Sequence, residues 1–240
     1  MKFINSDSLF NYWNQFVLDA NNKKSFSKSI ESFQRNKIPD YLKLGFIELP
    51  AANDDFFQEL NFLQLLKSRK SSRKWTDQII SLQQLSNLLN FAIFQKSTNH
   101  FSYSSAGGLY SVQIYFVANG ISGLLDGLYF YDPFIQAVKL IKVFKSLETQ
   151  LSLLGLQFEN LPKLTFLFLS DFQEVERKYL HRALRFVIIE TGEIIQNLQL
   201  LTQAMKLNHC AWGAGFDHDI VASVGGQIDR QIFTGCLIVG

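Results

Sequence analysis

Two arginines and a serine at alternating positions form the first candidate site in the sequence. Arg69, Ser71 and Arg73 stand in the segment Arg69-Lys70-Ser71-Ser72-Arg73. An extended chain places the three on one side, whereas a helix brings Arg69 and Arg73 together. Either geometry lets two guanidinium groups and a hydroxyl converge on one anion, and guanidinium forks match phosphate oxygens in pairs. A solvated basic loop is the alternative, because short basic runs are common.

A run of small residues between positions 103 and 110 forms the second candidate. Its sequence is Tyr-Ser-Ser-Ala-Gly-Gly-Leu-Tyr, and it leads directly into an expected strand. Glycines allow a flat or anionic ligand to approach the backbone closely, and amides and hydroxyls can donate hydrogen bonds to it. The run is neither a Walker loop nor a G-x-G-x-x-G fingerprint, since the required lysine and glycine spacing are absent. An ordinary turn is the alternative.

Two shorter segments complete the candidates. Lys178 and Tyr179 adjoin at the start of an expected long helix, and a titratable cluster in such a place is a candidate for catalysis. The alternative is a surface pair that caps the helix. The segment Trp-Gly-Ala-Gly-Phe-Asp at 212–217 offers backbone amides, with a strand-to-turn connection as its alternative. The order and spacing of the four segments carry more information than any one of them.

Helices are expected to position these residues. Over residues 177–207, apolar side chains recur every three or four positions and extend nearly all round the helix, which predicts burial in a core or an interface. Ser81 and Gln84 form a capping-box pattern that opens a second helix over residues 81–94. A third helical pattern covers residues 54–66, with acidic residues in its first turn.

Strand patterns lie between these helices. Residues 164–169 are apolar throughout, as in a central strand buried on both faces. The order of elements predicts an α+β domain built on one sheet. The other expected strands, one of which turns into a helix, cover residues 110–118, 127–131, 137–147 and 231–240.

Composition restricts the possible classes of protein. The 240 residues are 47% hydrophobic and 18% charged, which predicts a globular chain with a sizeable core. A net charge of +2 gives no case for nucleic-acid binding. The two cysteines and four histidines form no metal-ligand motif, and no apolar stretch reaches the length of a membrane span. No signal peptide is recognised, so we expect a cytoplasmic protein with reduced thiols.

The ordered motifs resemble the flavin-dependent nitroreductase superfamily. They are R-x-S-x-R, S-A-G-G-L-Y before a strand, K-Y, R-F-x-x-x-E-T-G-x-x-x-Q-N on a helix, and G-x-G-F-D. The combination with Lys-Tyr is similar to the thiazole/oxazole-forming branch, the SagB-type or microcin-type peptide dehydrogenases. The resemblance covers about residues 65–240 and implies an FMN-binding domain at 56–240, preceded by a helical arm at 1–55. It further implies an α+β fold with an antiparallel or mixed sheet surrounded by helices, and a long central helix at the interface of a homodimer.

The resemblance also implies roles for individual residues. Lys178 and Tyr179 would be the catalytic pair: one removes the ring Cα proton of a thiazoline or oxazoline while hydride leaves Cβ for the flavin. Two departures from the family pattern are Ser104 and Ser111, which stand where prolines are expected. The residues implied to contact FMN are Arg69, Ser71, Arg73, Ser105, Ala106, Gly107, Gly108, Gly215 and, as a weaker candidate, Asn197.

Three functions follow from the resemblance. The leading one is an FMN-dependent azoline dehydrogenase that acts on a ribosomally made precursor peptide, with a YcaO-type cyclodehydratase and a leader-binding protein as partners. The second is a nitro- or quinone-reductase that uses NAD(P)H, against which Lys178 and Tyr179 argue. The third is a flavin-less scaffold subunit, which the intact set of Arg69, Ser71 and Arg73 disfavours.

Overall fold

A seven-stranded antiparallel sheet forms the centre of the protein. The computed structural model describes residues 45–55, 57–144, 146–155 and 159–240. The strands are β1 (Phe46–Glu48), β2 (Phe94–Gln95), β3 (His100–Phe101), β4 (Val112–Ala118), β5 (Gly127–Asp132), β6 (Ala137–Val143), β7 (Leu164–Asp171), β8 (His209–Trp212) and β9 (Gln231–Val239). Their order across the sheet is β1-β6-β5-β4-β7-β9-β8, and β2 and β3 form a separate hairpin. The predicted α+β fold is therefore confirmed.

Strand β7 is buried along its whole length, as its apolar sequence predicted. It lies between β4 and β9, and all eight of its residues are buried. Leu164, Phe166 and Phe168 enter the core on one face, while Leu167 and Leu169 enter the core on the other. Side chains alternate across a strand, so a strand covered on both faces has no polar side.

Helices cover both faces of the sheet. The α-helices are α1 (Phe62–Ser68), α2 (Leu82–Ala92), α3 (Leu147–Leu151), α4 (Phe172–Tyr179), α5 (Ala183–Ala204) and α6 (Asp217–Ser223). Buried side chains of α2 and α5 share one core with the sheet, and those of α3 and α6 share the other. None of the helices in the described ranges is long and apolar enough to cross a membrane.

The long helix expected over residues 177–207 is divided in the structure. Helix α4 ends at Tyr179, a 3-10 turn follows at Leu180–Arg182, and α5 begins at Ala183. Leu180 has φ 50° and ψ −136°, a backbone conformation that cannot continue an α-helix. The division places Lys178 and Tyr179 at the C-terminal end of one helix, rather than at the start of the long one.

The start of helix α1 differs from the sequence prediction, whereas the start of α2 agrees with it. Helix α1 begins at Phe62 and not near residue 54, because the Asn61 side chain accepts a hydrogen bond from the Gln64 amide and caps the helix there. The capping box of α2 is confirmed: Ser81 Oγ accepts from the Gln84 amide at 3.1 Å, and Gln84 Oε1 accepts from the Ser81 amide at 2.9 Å.

Most of the expected N-terminal arm lies outside the described residues, which begin at position 45. Within residues 45–55, β1 pairs with β6 at the edge of the sheet, with Ile47 opposite Val138. The domain boundary at residues 55 and 56 stays a prediction.

The capping box generates a test of stability. We expect Ser81→Ala to lower the free energy of unfolding by about 1 kcal/mol. The Gln84 amide loses its acceptor, and the reciprocal bond from the residue 81 amide to Gln84 is weakened. Ser81→Asp restores an acceptor at the same position and should recover most of that loss. Urea denaturation of the three proteins measures the difference, and an alanine variant as stable as the wild type would contradict the expectation.

Candidate functional site

Lys178 and Tyr179 meet the glycine turn of the small-residue loop. Residues Ala106–Gly108 form a 3-10 turn in which Gly107 has φ 63° and Gly108 has φ 68°. Lys178 Nζ donates a hydrogen bond to the Gly107 carbonyl at 3.4 Å. A Cβ atom at Gly107 would overlap Lys178 Nζ and the Tyr179 hydroxyl. Two of the four segments selected from the sequence are therefore in contact within one chain.

The sheet brings these two segments together. Strands β4 and β7 are antiparallel, and Val112 pairs with Ser170. The loop that ends at β4 and the helix that follows β7 therefore lie at the same end of the sheet. Two hydrogen bonds join them there: the Asp171 amide donates to the Ser111 carbonyl at 3.4 Å, and the Ser170 hydroxyl donates to the Ser111 hydroxyl at 3.1 Å.

An ion pair between buried Asp171 and exposed Arg230 fixes the start of α4. Arg230 Nε donates to Asp171 Oδ2 at 2.9 Å, and the Phe172 amide donates to the Arg230 carbonyl at 3.1 Å. The hydrogen bond to Asp171, together with its charge, raises the pKa of the Arg230 guanidinium. The end of strand β7 and the first turn of α4 are thus attached to the residue that precedes β9.

The end of α4 is held by aromatic packing. The ring of Tyr179 packs edge-on against the ring of Phe186, with 4.7 Å between centroids. Lys178 Nζ lies 5.4 Å from the centroid of the Tyr179 ring, within range of a cation–π contact. Leu180 turns the chain directly after Tyr179, and the side chains of Lys178 and Tyr179 are half-buried against the glycine turn.

Two glutamates of α5 hold the other side of the loop. Ser105 Oγ donates to Glu190 Oε2 at 2.5 Å, and the Val112 amide donates to Glu190 Oε1 at 3.0 Å. One turn further along the helix, Glu193 accepts from the Ser104 amide at 2.7 Å and from its hydroxyl at 2.8 Å. Glu190 and Glu193 are three residues apart, so they lie on one face of the helix.

Burial makes Glu190 unusual among the charged groups of the site. Glu190 is 3% exposed, and this burial raises the pKa of its carboxyl to about 7. The Ser105 hydroxyl and the amides of Val112 and Ser111 oppose the rise because they stabilise the charged form, whereas Glu193 adds to it. Glu190 therefore changes its charge near neutral pH.

Hydrogen bonds within the loop shape the turn. The Gly108 amide donates to the Ser105 carbonyl at 3.0 Å, and the Tyr110 amide donates to Ser105 Oγ at 2.8 Å. Tyr110 has φ 47°, an uncommon value for a non-glycine residue, and its ring stacks on Phe101 at 3.7 Å between centroids. Ser105 is thus bonded to both ends of the turn as well as to Glu190.

The basic segment runs along the outer edge of strand β8. Arg69 ends α1 in an extended conformation, with φ −60° and ψ 123°, and the Ser72 amide donates to the His209 carbonyl at 2.8 Å. This favours the extended interpretation, in which Arg69, Ser71 and Arg73 share one side. Ser71 and Arg73 are exposed, so their polar groups can reach a ligand.

His209 connects this segment to the sheet. It is 1% exposed, and burial lowers the pKa of its ring, with a further contribution from the charge of Arg69. Its Nδ1 lies 3.3 Å from the Leu207 carbonyl, whereas Nε2 has no partner among the described residues. Arg73 lies 5.6 Å from the centroid of the Trp212 ring on the same strand.

The segment that follows β8 packs against a neighbouring turn. The Phe216 amide donates to the Leu153 carbonyl at 2.8 Å, and Trp212 Nε1 donates to the Leu154 carbonyl at 3.1 Å. A Cβ at Gly215 would overlap the end of the Ile220 side chain, whereas a Cβ at Gly213 would meet nothing within 4 Å. The packing at position 215 therefore favours a small residue.

Asn197 joins α5 to the segments that flank β2 and β3. Its Nδ2 donates to the Ala92 carbonyl at 3.2 Å and to the Ser102 carbonyl at 2.8 Å. Both hydrogens of the amide nitrogen are used inside the protein, and the carbonyl oxygen of the side chain is the group left to reach a ligand.

The structure thus assembles the predicted site residues in two groups. One group comprises Lys178 and Tyr179 with the turn residues Ser105, Ala106, Gly107 and Gly108. The other lies beside β8 and comprises Arg69, Ser71 and Arg73, with Gly215 in the segment that follows β8. Glu190 and Glu193 were given no role from the sequence. Their three-residue spacing on the long helix, with Glu190 inside the E-T-G segment of the quoted motif, was the available signal.

The chain belongs to the nitroreductase family, whose family model matches residues 66–240. A Methanocaldococcus jannaschii protein assigned to the nitroreductases is 26% identical over 165 residues, which are 68% of this chain and 83% of that protein. The microcin B17-processing protein McbC of Escherichia coli is 27% identical over 138 residues, 54% of this chain and 50% of McbC.

Solved structures share the fold. A nitroreductase of Anabaena variabilis superposes with a TM-score of 0.79 at 18% identity, over all of this chain and 48% of that one. The chain therefore spans about half the length of this protein and of McbC. A chain of the E. coli microcin synthetase McbBCD complex, with truncated pro-MccB17 bound, superposes with a TM-score of 0.65 at 16% identity, over 96% of this chain and 85% of that one.

Glu190 generates a prediction about stability and pH. Its folded-state pKa of about 7 lies above the ordinary value of 4.5, so between these two pH values the folded state keeps a proton that the unfolded state has lost. The contribution of Glu190 to the free energy of unfolding is fully present below about pH 4.5. It is lost as the pH rises through about 7, and the loss is roughly 3 kcal/mol at most. We expect the free energy of unfolding of Glu190→Gln, measured by urea denaturation, to show no such decline as the pH rises from 4.5 to 7.

Thr191→Val serves as the matched control for that experiment. Thr191 is the next residue of α5, and its buried hydroxyl bonds to Thr234 at 2.8 Å rather than to the loop. The Thr191→Val variant retains Glu190, so its free energy of unfolding should decline with rising pH as in the wild type. An equal decline in Glu190→Gln would contradict the assignment to Glu190.

Proposed function

We propose that this protein is an FMN-dependent dehydrogenase that oxidises thiazoline or oxazoline rings to thiazoles or oxazoles in a ribosomally synthesised peptide. The observation that carries the proposal is the contact of Lys178 and Tyr179 with the glycine turn at Gly107. Similarity to McbC supports the peptide class of substrate. A second candidate, an NAD(P)H-dependent nitroreductase, is favoured by the similarity to the M. jannaschii protein.

Lys178 and Tyr179 would perform the proton transfer. Conversion of an azoline to an azole removes a proton from the ring Cα and a hydride from Cβ. The neutral amine of Lys178 or the phenolate of Tyr179 could take the Cα proton, and Lys178 Nζ and the Tyr179 oxygen both lie against Gly107. The turn itself would limit where the ring can lie, because Gly107 is already packed by these two side chains.

The residues present fit a bound FMN. At Gly108 a Cβ would meet nothing within 4 Å, so this side of the turn leaves open backbone for a flat ring. The exposed groups of Ser71 and Arg73 could hold a phosphate together with Arg69, and the unpartnered Nε2 of His209 lies beside this segment. FMN, when bound, would supply the acceptor for the hydride. Ser105, Ala106, Gly107 and Gly108 would line the ring, with Gly215 and Asn197 near its edges.

A homodimer would complete the site. The two groups of site residues lie on different elements, as expected if each subunit supplies one group to a shared cofactor. Exposed apolar side chains on α1 and α5 offer the surface for a second copy: Phe62 is 64% exposed, Ile188 53% and Ile189 50%. Large apolar patches of this kind mark protein interfaces.

The proposal includes partners and a compartment. In the microcin synthetase complex, a chain of the same fold is assembled with other subunits and a truncated precursor peptide. By analogy, this protein would act with a YcaO-type cyclodehydratase, a leader-binding protein and a precursor peptide. The two free and buried cysteines, Cys210 and Cys236, suit the reducing cytoplasm.

Purified protein and a thiazoline-containing peptide test the function. We expect a flavin absorbance spectrum and a loss of two hydrogens from the peptide by mass spectrometry. Lys178→Ala or Tyr179→Phe should retain flavin and lose turnover, on the order of 10²- to 10⁴-fold for the residue that acts as base. Normal turnover in both variants would refute the catalytic pair.

The spectrum also separates the alternatives. A colourless protein would support a scaffold subunit. Rapid bleaching of the flavin by NADPH, with no change in the peptide, would support a nitro- or quinone-reductase.

A glycine outside the site offers a matched control for the turn. Gly107→Ala and Gly120→Ala both place a side chain at positive φ, and each should lose roughly 1–2 kcal/mol of stability. A Cβ at Gly120, between β4 and β5, meets nothing within 4 Å, whereas the methyl group at position 107 would displace Lys178 and Tyr179. We therefore expect similar urea midpoints and a much lower turnover for Gly107→Ala. Equal turnover in the two variants would show that the contact at Gly107 has no part in the reaction.

A further inference from the structure

We propose that Glu190 is a positioning residue: its carboxylate holds the turn at residues 105–110 in the position where Gly107 meets Lys178 and Tyr179. The inference rests on the proposed function for its catalytic meaning, and on the hydrogen bonds of the loop for its structural meaning. Glu190 bonds to Ser105 and Val112, whereas Lys178 and Tyr179 contact Gly107, so the carboxylate acts through the turn.

The contacts form a continuous path. Glu190 Oε2 accepts from Ser105 Oγ at 2.5 Å, and Ser105 Oγ accepts from the Tyr110 amide at 2.8 Å. Glu190 Oε1 accepts from the Val112 amide at 3.0 Å. One carboxylate is therefore bonded to the first residue of the turn and to the first residue of the strand that follows. The Gly107 carbonyl between these points accepts from Lys178 Nζ.

The donors around Glu190 are matched best by a group that only accepts. The Ser105 hydroxyl and the amides of Val112 and Ser111 all point hydrogens at the carboxyl oxygens. An ionised carboxylate accepts them all. The NH₂ group of a glutamine would oppose a backbone amide, or would make the Ser105 hydroxyl accept where it now donates. Glu190→Gln therefore keeps the size of the side chain and weakens the match.

Protonation of Glu190 has an effect similar to the amide. A proton on Oε1 opposes the Val112 amide, and a proton on Oε2 makes the Ser105 hydroxyl accept where it now donates. The other titratable groups near the carboxyl are Glu193 on the same helix and Tyr103 before the loop, and burial raises the pKa of Tyr103 well above its ordinary value. Lys178 and Tyr179 contact the turn at Gly107. The turn is therefore expected to loosen as the pH falls below about 7.

The experiment compares Glu190→Gln, Ser105→Ala, the double variant and Thr191→Val with the wild type. Amide hydrogen exchange at pH 8, read by mass spectrometry, reports the order of residues 105–112. Steady-state oxidation of a thiazoline-containing peptide reports kcat and KM from pH 6 to 9. Bound flavin and urea midpoints are measured on each protein.

We expect faster exchange over residues 105–112 in Glu190→Gln and Ser105→Ala, and wild-type exchange in Thr191→Val. With flavin content unchanged, kcat should fall on the order of tenfold to a hundredfold in the first two, with KM near the wild-type value. The kcat of the double variant should be little lower than that of either single variant, because both substitutions break the same hydrogen bond between Glu190 and Ser105. The wild-type rate should decline as the pH falls below about 7, and this decline should be absent in Glu190→Gln.

The outcomes separate the two proposals. Unchanged exchange in Glu190→Gln, or a decline in rate that persists in it, overturns the positioning role. If the wild type leaves the peptide unchanged, the proposed function is refuted. Faster amide hydrogen exchange over residues 105–112 in the variants would still support the role of Glu190 in positioning the turn. If Glu190→Gln does not fold, Ser105→Ala alone decides, and wild-type exchange and kcat in that variant refute the inference.

Discussion

The buried carboxylate of Glu190 is the constraint on which the site depends. Placing a charge in the interior is unfavourable unless hydrogen bonds compensate for the lost water. Ser105 and the start of β4 supply that compensation, since a hydroxyl and backbone amides donate to the two oxygens. The same bonds fix the loop at its first residue and its last. A turn with two glycines at positive φ has few contacts of its own, so its position comes from the residues that hold it.

The sheet decides which residues meet at this turn. Because β4 starts where antiparallel β7 ends, the loop before one strand and the helix after the other share an edge of the sheet. Helix α5 then returns across the face of the sheet and brings Glu190 beneath the loop. The break at Leu180 is essential to this arrangement, because a continuous helix would carry Lys178 and Tyr179 along the axis of α5. The central strands and the break together define the site.

Local patterns predicted the parts of this structure that depend on neighbouring residues. The capping box at Ser81, the apolar strand β7 and the Gly107–Gly108 turn are all encoded within a few positions. The break at Leu180 was not predicted, because Leu180 fits the helical pattern and a leucine rarely adopts a positive φ. The contact between Gly107 and Lys178 joins residues 71 positions apart, and the register of β4 and β7 brings them together. Glu190 stood within the E-T-G segment of the helix motif, and its role became apparent only when its donors were placed.

Stability and positioning favour opposite states of Glu190. Burial favours the neutral form, which is why the pKa of the carboxyl rises to about 7. The donors of the loop favour the ionised form, which matches them without a competing hydrogen. The fold therefore retains a group whose charge lowers the stability of the protein at neutral pH, at the point where the turn meets Lys178 and Tyr179. Buried polar groups that reduce stability are commonly found where a specific arrangement is needed. An apolar residue at position 190 would avoid the cost of burial and would leave Ser105 and Val112 without an acceptor.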